Sequence, residues 1–438
     1  MRAPFPISSG RRARLTAVVA AAVVGAGVLL APSAAHAAAN TVVNDAYTTH
    51  SGVAFSAAAA VGLLANDVEV TPGAIASVTS DPLHGQVSSF SDDGSFSYTA
   101  TAGFTGDDTF TYCIKTAEGQ PCASLMATVT LHVTSSIERI GGADRYVVSA
   151  AISAEQFAPR KPTVYVASGE NFPDALSASA AAGAFGAPVL LVAKDSVPSA
   201  IAGELTRLKP ENIILLGGTN SVSNAVESRL HDFVGGAGSV TRVSGATRYD
   251  VSATISQMTF AKARPVAYIA SGEGFADALS GSAAAGALGG PVLLVQKDAI
   301  PSAVANELAR LVPGKIVVLG GANTISDSVV ATLQKTAVTS RASGVNRFAT
   351  SAKVSQGAFM PTDTNTVFIS SGETFPDALS GGASAIANHA PVLLVAKNSI
   401  SADVAAEIGR LKPTRIIVLG GTNAVSDGVY EQLKSLLR

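Results

Sequence analysis

The chain contains one module of about 100 residues three times. The segment SGENFPDALSASAAAG recurs in close variants that begin at Ser168, Ser271 and Ser371. The tetrapeptide PVLL and a strand-like run ending in LGG follow it in every copy. Because this period exceeds the roughly 20–50 residues of solenoid repeats, each copy is predicted to be a small domain. Tethered weak sites multiply avidity, so the triplication favours a surface-binding protein over an enzyme.

The first 37 residues have the pattern of a secretory signal peptide. Four arginines precede an uncharged apolar run at residues 15–30, and Ala35-His36-Ala37 has the small-x-small pattern of a cleavage site. The alternative is a membrane anchor, but the apolar run of about 16 residues is shorter than the roughly 20 that a span needs. Arg11-Arg12 leaves twin-arginine export open beside the general route. Residues 1–37 are therefore predicted to be removed on export.

Residues 38–135 are predicted to form an all-β sandwich. Runs rich in β-branched and aromatic residues, such as FSYTA at 96–100 and ATVTLHV at 127–133, are separated by turn clusters such as Asp92-Asp93-Gly94. In about 100 residues this pattern favours an antiparallel sandwich. The only two cysteines of the chain, Cys113 and Cys122, flank a glycine-containing turn between predicted strands. In an exported chain we expect a disulfide between them, the alternative being two free thiols.

Charge divides the exported chain into two parts. Residues 38–135 hold nine acidic residues against one lysine, whereas residues 136–438 hold 23 acidic and 25 basic residues. Nucleic acid binding would require a basic face, so it is excluded as a function class. Beyond residue 37 no apolar run reaches spanning length without glycine, proline or a charge, and no membrane span is expected in the mature chain.

Each copy of the module alternates predicted strands and helices. In the second copy, strands are predicted over 240–245, 266–271, 291–295 and 315–321, and helices over 247–256, 277–288, 302–311 and 326–334. Strands that are apolar throughout imply burial on both faces and parallel pairing. The prediction is three α/β modules at 136–238, 239–338 and 339–438, each a doubly wound layer of four strands and four helices. The helix after Asp277 contains mainly alanine, glycine and serine, and is predicted to approach its neighbours closely.

Charged residues recur at equivalent positions of the three copies. Two interpretations remain open for them. They form bidentate ion pairs at the ends of parallel strands, or they line a ligand crevice at the carboxyl ends of the strands, where helix N-termini also offer N–H groups to anions. The carboxylates are Glu170, Asp174, Glu273, Asp277, Glu373 and Asp377, and the arginines are Arg139, Arg145, Arg242, Arg248, Arg341 and Arg347.

Catalytic chemistry finds little support in the three copies. Their only histidines, His231 and His389, occupy non-equivalent positions, and they contain no cysteine, so a recurring metal site or Cys/His nucleophile is excluded. Glu170 and Asp174 would lie side by side at a strand-to-helix turn rather than across a sugar ring. The double glycine that ends the LGG run lacks a phosphate-loop motif and is interpreted as a tight turn. We expect no enzyme activity and no resident cofactor.

The copies resemble the type 2 cell-wall-binding repeat. The matching text is RIGGADRY, RVSGATRY and RASGVNRF at the three starts, followed by SGExFxDALSxS, PVLLV and the LGG strand. The resemblance implies Rossmann-like modules in a pseudo-threefold unit that binds an anionic secondary cell-wall polymer without a covalent bond. It also implies polymer contact by the six arginines and by the PVLL positions Pro188, Leu190, Leu191, Pro291, Leu293, Leu294, Pro391, Leu393 and Leu394. Because the copies carry little net charge, local clusters would have to supply the attraction.

The first domain resembles bacterial cadherin-like or immunoglobulin-like domains of surface proteins. The likeness rests on VNDAYTT at 43–49, GLLANDVE at 62–69 and GFTGDDTFTY at 103–112. Some relatives bind calcium through aspartates, so calcium is a candidate ligand here, although turn aspartates have a simpler structural interpretation. The overall hypothesis is a secreted, wall-associated surface protein of Gram-positive type. Two alternatives stay open: a wall amidase or its modifier, and an adhesin that acts through a protein or cell-surface partner of the β-domain.

Overall fold

The computed structural model describes residues 41–437 apart from Glu69, Thr71, Pro72, Leu125, Phe172 and Ala237. The predicted signal peptide lies outside the described residues. Among the described residues no helix is both long and apolar enough to cross a membrane.

The N-terminal β-domain is a sandwich of two sheets. One sheet has the order β1-β7-β6-β3 and the other the order β2-β5-β4. Strand β1 runs parallel to β7, so the expectation of antiparallel pairing throughout is wrong at this edge. The strands are β1 (Asp45–His50), β2 (Ala54–Ala57), β3 (Ile75–Ser80), β4 (Gly85–Phe90), β5 (Phe96–Ala100), β6 (Gly106–Lys115) and β7 (Ala127–Thr134).

Alternating side chains of the two sheets form the core of the β-domain. Phe96, Tyr98, Phe110 and Tyr112 are buried between the sheets. The buried carboxylate of Asp108 accepts hydrogen bonds from the Tyr98 hydroxyl at 2.7 Å and from two backbone N–H groups of the β3–β4 connection. A disulfide joins Cys113 to Cys122, as the sequence predicts.

The three copies contain the predicted alternation of strands and helices. The first copy holds β8 (Ser136–Ile140), α1 (Arg145–Gln156), β9 (Thr163–Ser168), α2 (Ala178–Ala184), β10 (Val189–Val192), α3 (Ser199–Leu208), β11 (Asn212–Leu216) and α4 (Asn224–Leu230). The second holds β12 (Ser239–Val243), α5 (Arg248–Thr259), β13 (Val266–Ser271), α6 (Ala276–Ala287), β14 (Val292–Val295), α7 (Ser302–Leu311), β15 (Lys315–Leu319) and α8 (Asp327–Leu333). The third holds β16 (Val338–Ala342), α9 (Arg347–Ala358), β17 (Thr366–Ser371), α10 (Pro376–Ala387), β18 (Val392–Val395), α11 (Ala402–Leu411), β19 (Arg415–Leu419) and α12 (Asp427–Lys434).

Each sheet of the repeats has four strands and takes its last strand from another copy. The sheet orders are β10-β9-β11-β12, β14-β13-β15-β16 and β18-β17-β19-β8, and all pairs are parallel. Thus β12 completes the first sheet, β16 the second, and β8 returns from the start of the first copy to complete the third. The prediction that each copy contains its own four-stranded sheet is therefore wrong. A helix of seven residues and a short connection bring the next strand beside β11 or β15 as a βαβ crossover, before the chain moves on to the next sheet.

The exchange of strands links the three sheets in a cycle, which we call the ring. Helices of small residues lie at its centre. Helices α2, α6 and α10 pack on one another, so the predicted close approach of the helix after Asp277 to its neighbours includes contacts between repeats. A side chain at Gly183 or Gly286 would collide with Ile386, so glycine is required for this close approach. Across the interface, the Ser282 hydroxyl donates to the Leu176 carbonyl and the Ser179 hydroxyl to the Leu379 carbonyl, both at 2.9 Å.

In each copy a buried glutamate forms an ion pair within one outer helix, and hydrogen bonds from this pair connect the helix to a second one. In the second copy Glu307 of α7 is fully buried, pairs with Arg310 at 2.7 Å and accepts the Ser256 hydroxyl of α5 at 2.5 Å. The Arg310 guanidinium also donates to the Phe260 carbonyl, so it ends α5 as well. The sequence analysis missed this cluster, although the recurrence of Glu and Arg three residues apart signals it. The equivalents are Ser153, Glu204 and Arg207 in the first copy, and Ser355, Glu407 and Arg410 in the third.

The β-domain contacts the third sheet at the amino ends of its strands. Only Ser135 separates β7 from β8. Asn365, which precedes β17, donates to the Ala102 carbonyl at 3.2 Å, and Thr414, which precedes β19, contacts the Ser51 hydroxyl at 3.2 Å. The β-domain therefore lies at the amino edge of this sheet, the side where its strands begin.

Candidate functional site

The opposite side of each sheet, its carboxyl edge, opens into crevices between successive copies. A cavity of about 560 Å³ lies between the second and third copies, lined by Glu273, Asp277 and Arg347 among others. A cavity of about 700 Å³ lies between the first and second, lined by Asp174 and Arg248 among others. Because the ring closes through β8, Arg145 of the first copy likewise interacts with Asp377 of the third. A ligand in a crevice would touch two copies at once.

The strand arginines Arg139, Arg242 and Arg341 bind protein rather than solvent. Arg242 on β12 donates to the carbonyls of Gly217 at 2.8 Å and Val222 at 2.9 Å, and pairs with Glu227 at 3.0 Å. All of these partners belong to the preceding copy. Arg139 and Arg341 bind the equivalent carbonyls and pair with Asp427 and Asp327. Each strand arginine thus fastens its strand to the LGG loop of the sheet it joins.

The helix arginines Arg145, Arg248 and Arg347 line the crevices. Each is the first residue of its helix, and one guanidinium nitrogen of each donates to a backbone carbonyl of its own copy, at Gly169, Gly272 or Gly372. Arg145 and Arg347 also lie over the rings of Phe375 and Phe275, with the guanidinium carbon 5.9 and 5.5 Å from the ring centroids. Arg145 and Arg347 remain exposed and Arg248 is half-buried.

The predicted pairing of these arginines with the recurring carboxylates holds only in part. The strand arginines pair with acids of α4, α8 and α12, which the sequence analysis did not consider. The helix arginines act electrostatically on Asp174, Asp277 and Asp377 of the preceding copy. Glu170, Glu273 and Glu373 stay exposed at the carboxyl edge, where Glu170 accepts the Tyr146 hydroxyl at 3.4 Å.

The PVLL positions lie inside the sheets, not on the surface. The leucines are those of β10, β14 and β18, and their side chains are fully buried. The prolines Pro188, Pro291 and Pro391 that precede these strands are buried as well. The implied polymer contact by Leu190, Leu191, Leu293, Leu294, Leu393 and Leu394 is therefore corrected to a core role, because a parallel strand covered on both faces exposes no side chain.

Three aspartates, of which Asp377 is buried and Asp174 and Asp277 are half-buried, form the floor of the carboxyl edge. Asp174, Asp277 and Asp377 pack against the first glycine of each LGG loop, where φ is near +90° and a side chain would collide with the carboxylate. This geometry fits the tight-turn interpretation of the double glycine. Burial raises the pKa of all three carboxyls, that of Asp377 to about 6, and the neighbouring helix arginine opposes the shift in each case.

Replacing Asp377 with asparagine is expected to stabilise the protein at neutral pH. A pKa of about 6 in the folded chain, against about 3.9 in the unfolded chain, means that the folded state binds more protons in that window. The wild-type free energy of unfolding then falls as pH rises from about 4 to 6. Asp377→Asn should raise it by up to about 3 kcal/mol at pH 7 and leave it unchanged at about pH 4.

Urea unfolding at several pH values measures this effect. The exposed Asp298→Asn variant is the control and should change little at either pH. A loss of stability for Asp377→Asn at pH 7 would contradict the prediction, since the carboxylate would then be a net stabilising partner of Arg145.

The sequence analysis missed one recurring residue of the crevices. Asn220, Asn323 and Asn423 follow the LGG glycines in all three copies. All three are exposed, and within the described part of the chain none of their side chains has a hydrogen-bond partner in the structure. Asn220 and Asn323 line the two cavities. An exposed amide retained three times without an internal partner is suited to bind a ligand.

Comparison with known proteins assigns the repeats. The model of the cell wall binding domain 2 family matches residues 139–227, 242–330 and 341–430. The chain belongs to this family. A bacterial Ig domain model matches residues 36–134, in agreement with the sandwich fold of the β-domain.

Two curated relatives and two solved structures resemble the chain. N-acetylmuramoyl-L-alanine amidase LytC of Bacillus subtilis is 29% identical over 301 residues, which are 69% of this chain and 58% of the amidase. The amidase enhancer of the same species is 29% identical over 298 residues, 68% of this chain and 40% of the enhancer. The chain thus spans about half the length of the curated relatives it matches.

The structural relatives support the fold. Cwp6 from Clostridium difficile superposes with a TM-score of 0.67 at 20% identity, covering 89% of this chain and 67% of Cwp6. Cwp8 from the same species superposes with a TM-score of 0.63 at 22% identity, covering 76% of this chain and 60% of Cwp8.

Proposed function

We propose that this protein anchors itself without a covalent bond to an anionic polysaccharide of the cell wall and displays its β-domain. The three repeats of the cell wall binding domain 2 family support the anchoring role. One observation carries the proposal furthest: the crevices open at the carboxyl edges, whereas the β-domain is fixed at the amino edge of the third sheet. A polymer bound in the crevices would leave the β-domain on the far side of that sheet.

The ring geometry suits a long ligand with repeated units. Successive copies form each crevice, so the three junctions of the ring offer related surfaces to one polymer strand. Each site can be weak, because binding at one raises the effective concentration of polymer at the next. Anionic groups would meet cationic side chains at the carboxyl edge, while the recurring asparagines donate hydrogen bonds to sugar hydroxyls.

An exported location follows from the same proposal. The predicted signal peptide at residues 1–37 and the disulfide of the β-domain both suit an oxidising compartment outside the cytoplasm. A Gram-positive wall is the proposed destination.

We propose no enzymatic role for the described residues. The likeness to an amidase and to an amidase enhancer keeps wall hydrolysis, or assistance to it, as the second candidate. A zymogram on peptidoglycan separates the two, since a cleared band would favour hydrolysis. The target of the β-domain as an adhesin, and its calcium binding, remain predictions that calorimetry with calcium and with surface glycans would test.

Co-sedimentation with isolated Gram-positive walls tests the anchoring proposal. The mature chain should bind untreated walls and lose most binding after the anionic polymer has been extracted. Equal binding to both preparations would overturn it.

A further inference from the structure

A lysine follows the PVLLV strand in every copy. Lys194, Lys297 and Lys397 each lie two residues beyond the end of β10, β14 or β18, at the carboxyl edge. They are the only lysines of the repeats that occupy an equivalent position in all three copies. The flanking residues differ between copies, with Ala193 or Gln296 before the lysine and Asp195 or Asn398 after it. The lysine is therefore retained where its surface neighbours are not.

The structure fixes the backbone of these lysines and leaves their ammonium groups unpaired. The carbonyls of Lys194, Lys297 and Lys397 accept the N–H of Ser223, Ser326 and Ser426 at 2.8 to 2.9 Å. The side chains of Lys194 and Lys297 are exposed and that of Lys397 is half-buried. Across the described ranges, none of the three ammonium groups forms a hydrogen bond or an ion pair. Their charges therefore stabilise the described fold through no ion pair or hydrogen bond.

The lysines lie beside the loops that form the crevices. Ser223 follows Asn220 on the same loop, so its bond holds the Lys194 backbone next to that loop, outside the residues that line the cavity itself. The backbone N–H of Lys194 also donates to Glu170 at 3.3 Å. Each copy therefore presents a free cation, an unpartnered amide and a carboxylate on neighbouring loops of one edge.

The arginines are less available for this role. The three strand arginines donate to backbone carbonyls and carboxylates, and each helix arginine already interacts with an aspartate of the preceding copy. A flexible ammonium with three donors can follow phosphate or carboxylate groups that are irregularly placed along a polymer.

We propose that Lys194, Lys297 and Lys397 are the cations that bind the anionic groups of the wall polymer, one from each repeat. This inference rests on the proposed anchoring function and assigns its electrostatic part to residues outside the six arginines. The ligand group is a phosphate or carboxylate on a sugar polymer.

The test compares two triple variants of the full mature chain. One carries Lys194→Gln, Lys297→Gln and Lys397→Gln. The matched control carries Lys209→Gln, Lys262→Gln and Lys412→Gln, which removes three exposed lysines that precede β11, β13 and β19 at the amino edge. Both variants lose the same charge, and neither substitution touches the core.

Binding to isolated walls is measured by sedimentation at low and high salt, with intact and polymer-extracted walls. The carboxyl-edge variant should bind intact walls about tenfold more weakly and show a smaller salt dependence, because three exposed ion pairs are lost. The control should match the wild type. Equal binding by the two triple variants would overturn the lysine proposal. Equal wild-type binding to intact and extracted walls would instead overturn the anchoring function.

Discussion

A chain that ends at residue 337, and so lacks the third copy, is expected to lose the cooperative unfolding of its remaining repeats. Without β16 the second sheet has no last strand, and without β19 strand β8 has no partner. The central helices α2 and α6 would also lose α10, which covers them in the ring. Scanning calorimetry should show no cooperative transition for the two remaining copies.

A rearranged chain provides the control for this truncation. Four residues separate α8 from β16, and residues 435–438 provide the same spacing after α12. A chain of residues 141–438 followed by SIERI therefore places the sequence of β8 where it can pair with β19. This version should unfold cooperatively although its N-terminal strand has been moved. Cooperative unfolding of the truncated chain, or of one isolated copy, would contradict the exchange of strands.

Replacing Arg310 with alanine is expected to cost about 3 to 5 kcal/mol of unfolding free energy. Glu307 is fully buried, and the substitution would leave its carboxylate with only the Ser256 hydroxyl as a partner. The loss of the bond to the Phe260 carbonyl at the end of α5 adds to the effect. Urea unfolding of the mature chain measures the difference.

Two further variants make this result specific. Arg229 forms an ion pair with Asp232 in which both side chains are 56% exposed, so Arg229→Ala should cost less than about 1 kcal/mol. Adding Glu307→Leu to Arg310→Ala removes the unpaired buried charge and should recover most of the lost stability. If Arg310→Ala were no more damaging than Arg229→Ala, the buried pair would not stabilise the fold.

The local elements of the repeats were predictable from the sequence. The continuous apolar run at 266–271 is strand β13, and the amphipathic run at 302–311 is helix α7, with the predicted bounds in both cases. Asp144, Thr247 and Asn346 are N-caps whose side chains accept backbone N–H groups of the following helix. Patterns of this kind depend on neighbouring residues alone, which the sequence displays directly.

The partners of strands and arginines were not predictable in the same way. A short parallel strand such as β12 carries no local signal for the copy it will join. The role of Arg242 depends on that choice, since all its bonds reach into the preceding copy. The polymer contact implied for PVLL was wrong for a related reason. A recurring apolar segment is expected for a buried core strand as well as for a recurring ligand contact. The recurring lysines and asparagines stand out because their side chains lack hydrogen-bond partners and most are exposed. Both properties can be seen only in the folded chain.

Because a single residue separates β7 from β8, this junction transmits force directly from the β-domain to the repeats. Along the chain, a load on the β-domain reaches the ring through Ser135 and then β8, in parallel with the contacts that Asn365 and Thr414 make. A pull along that strand strains the whole β8–β19 ladder together, and its rupture would also open the ring. The strand that carries this force is thus also the strand that closes the ring. Sustained pulling would therefore weaken the wall-binding part of the protein.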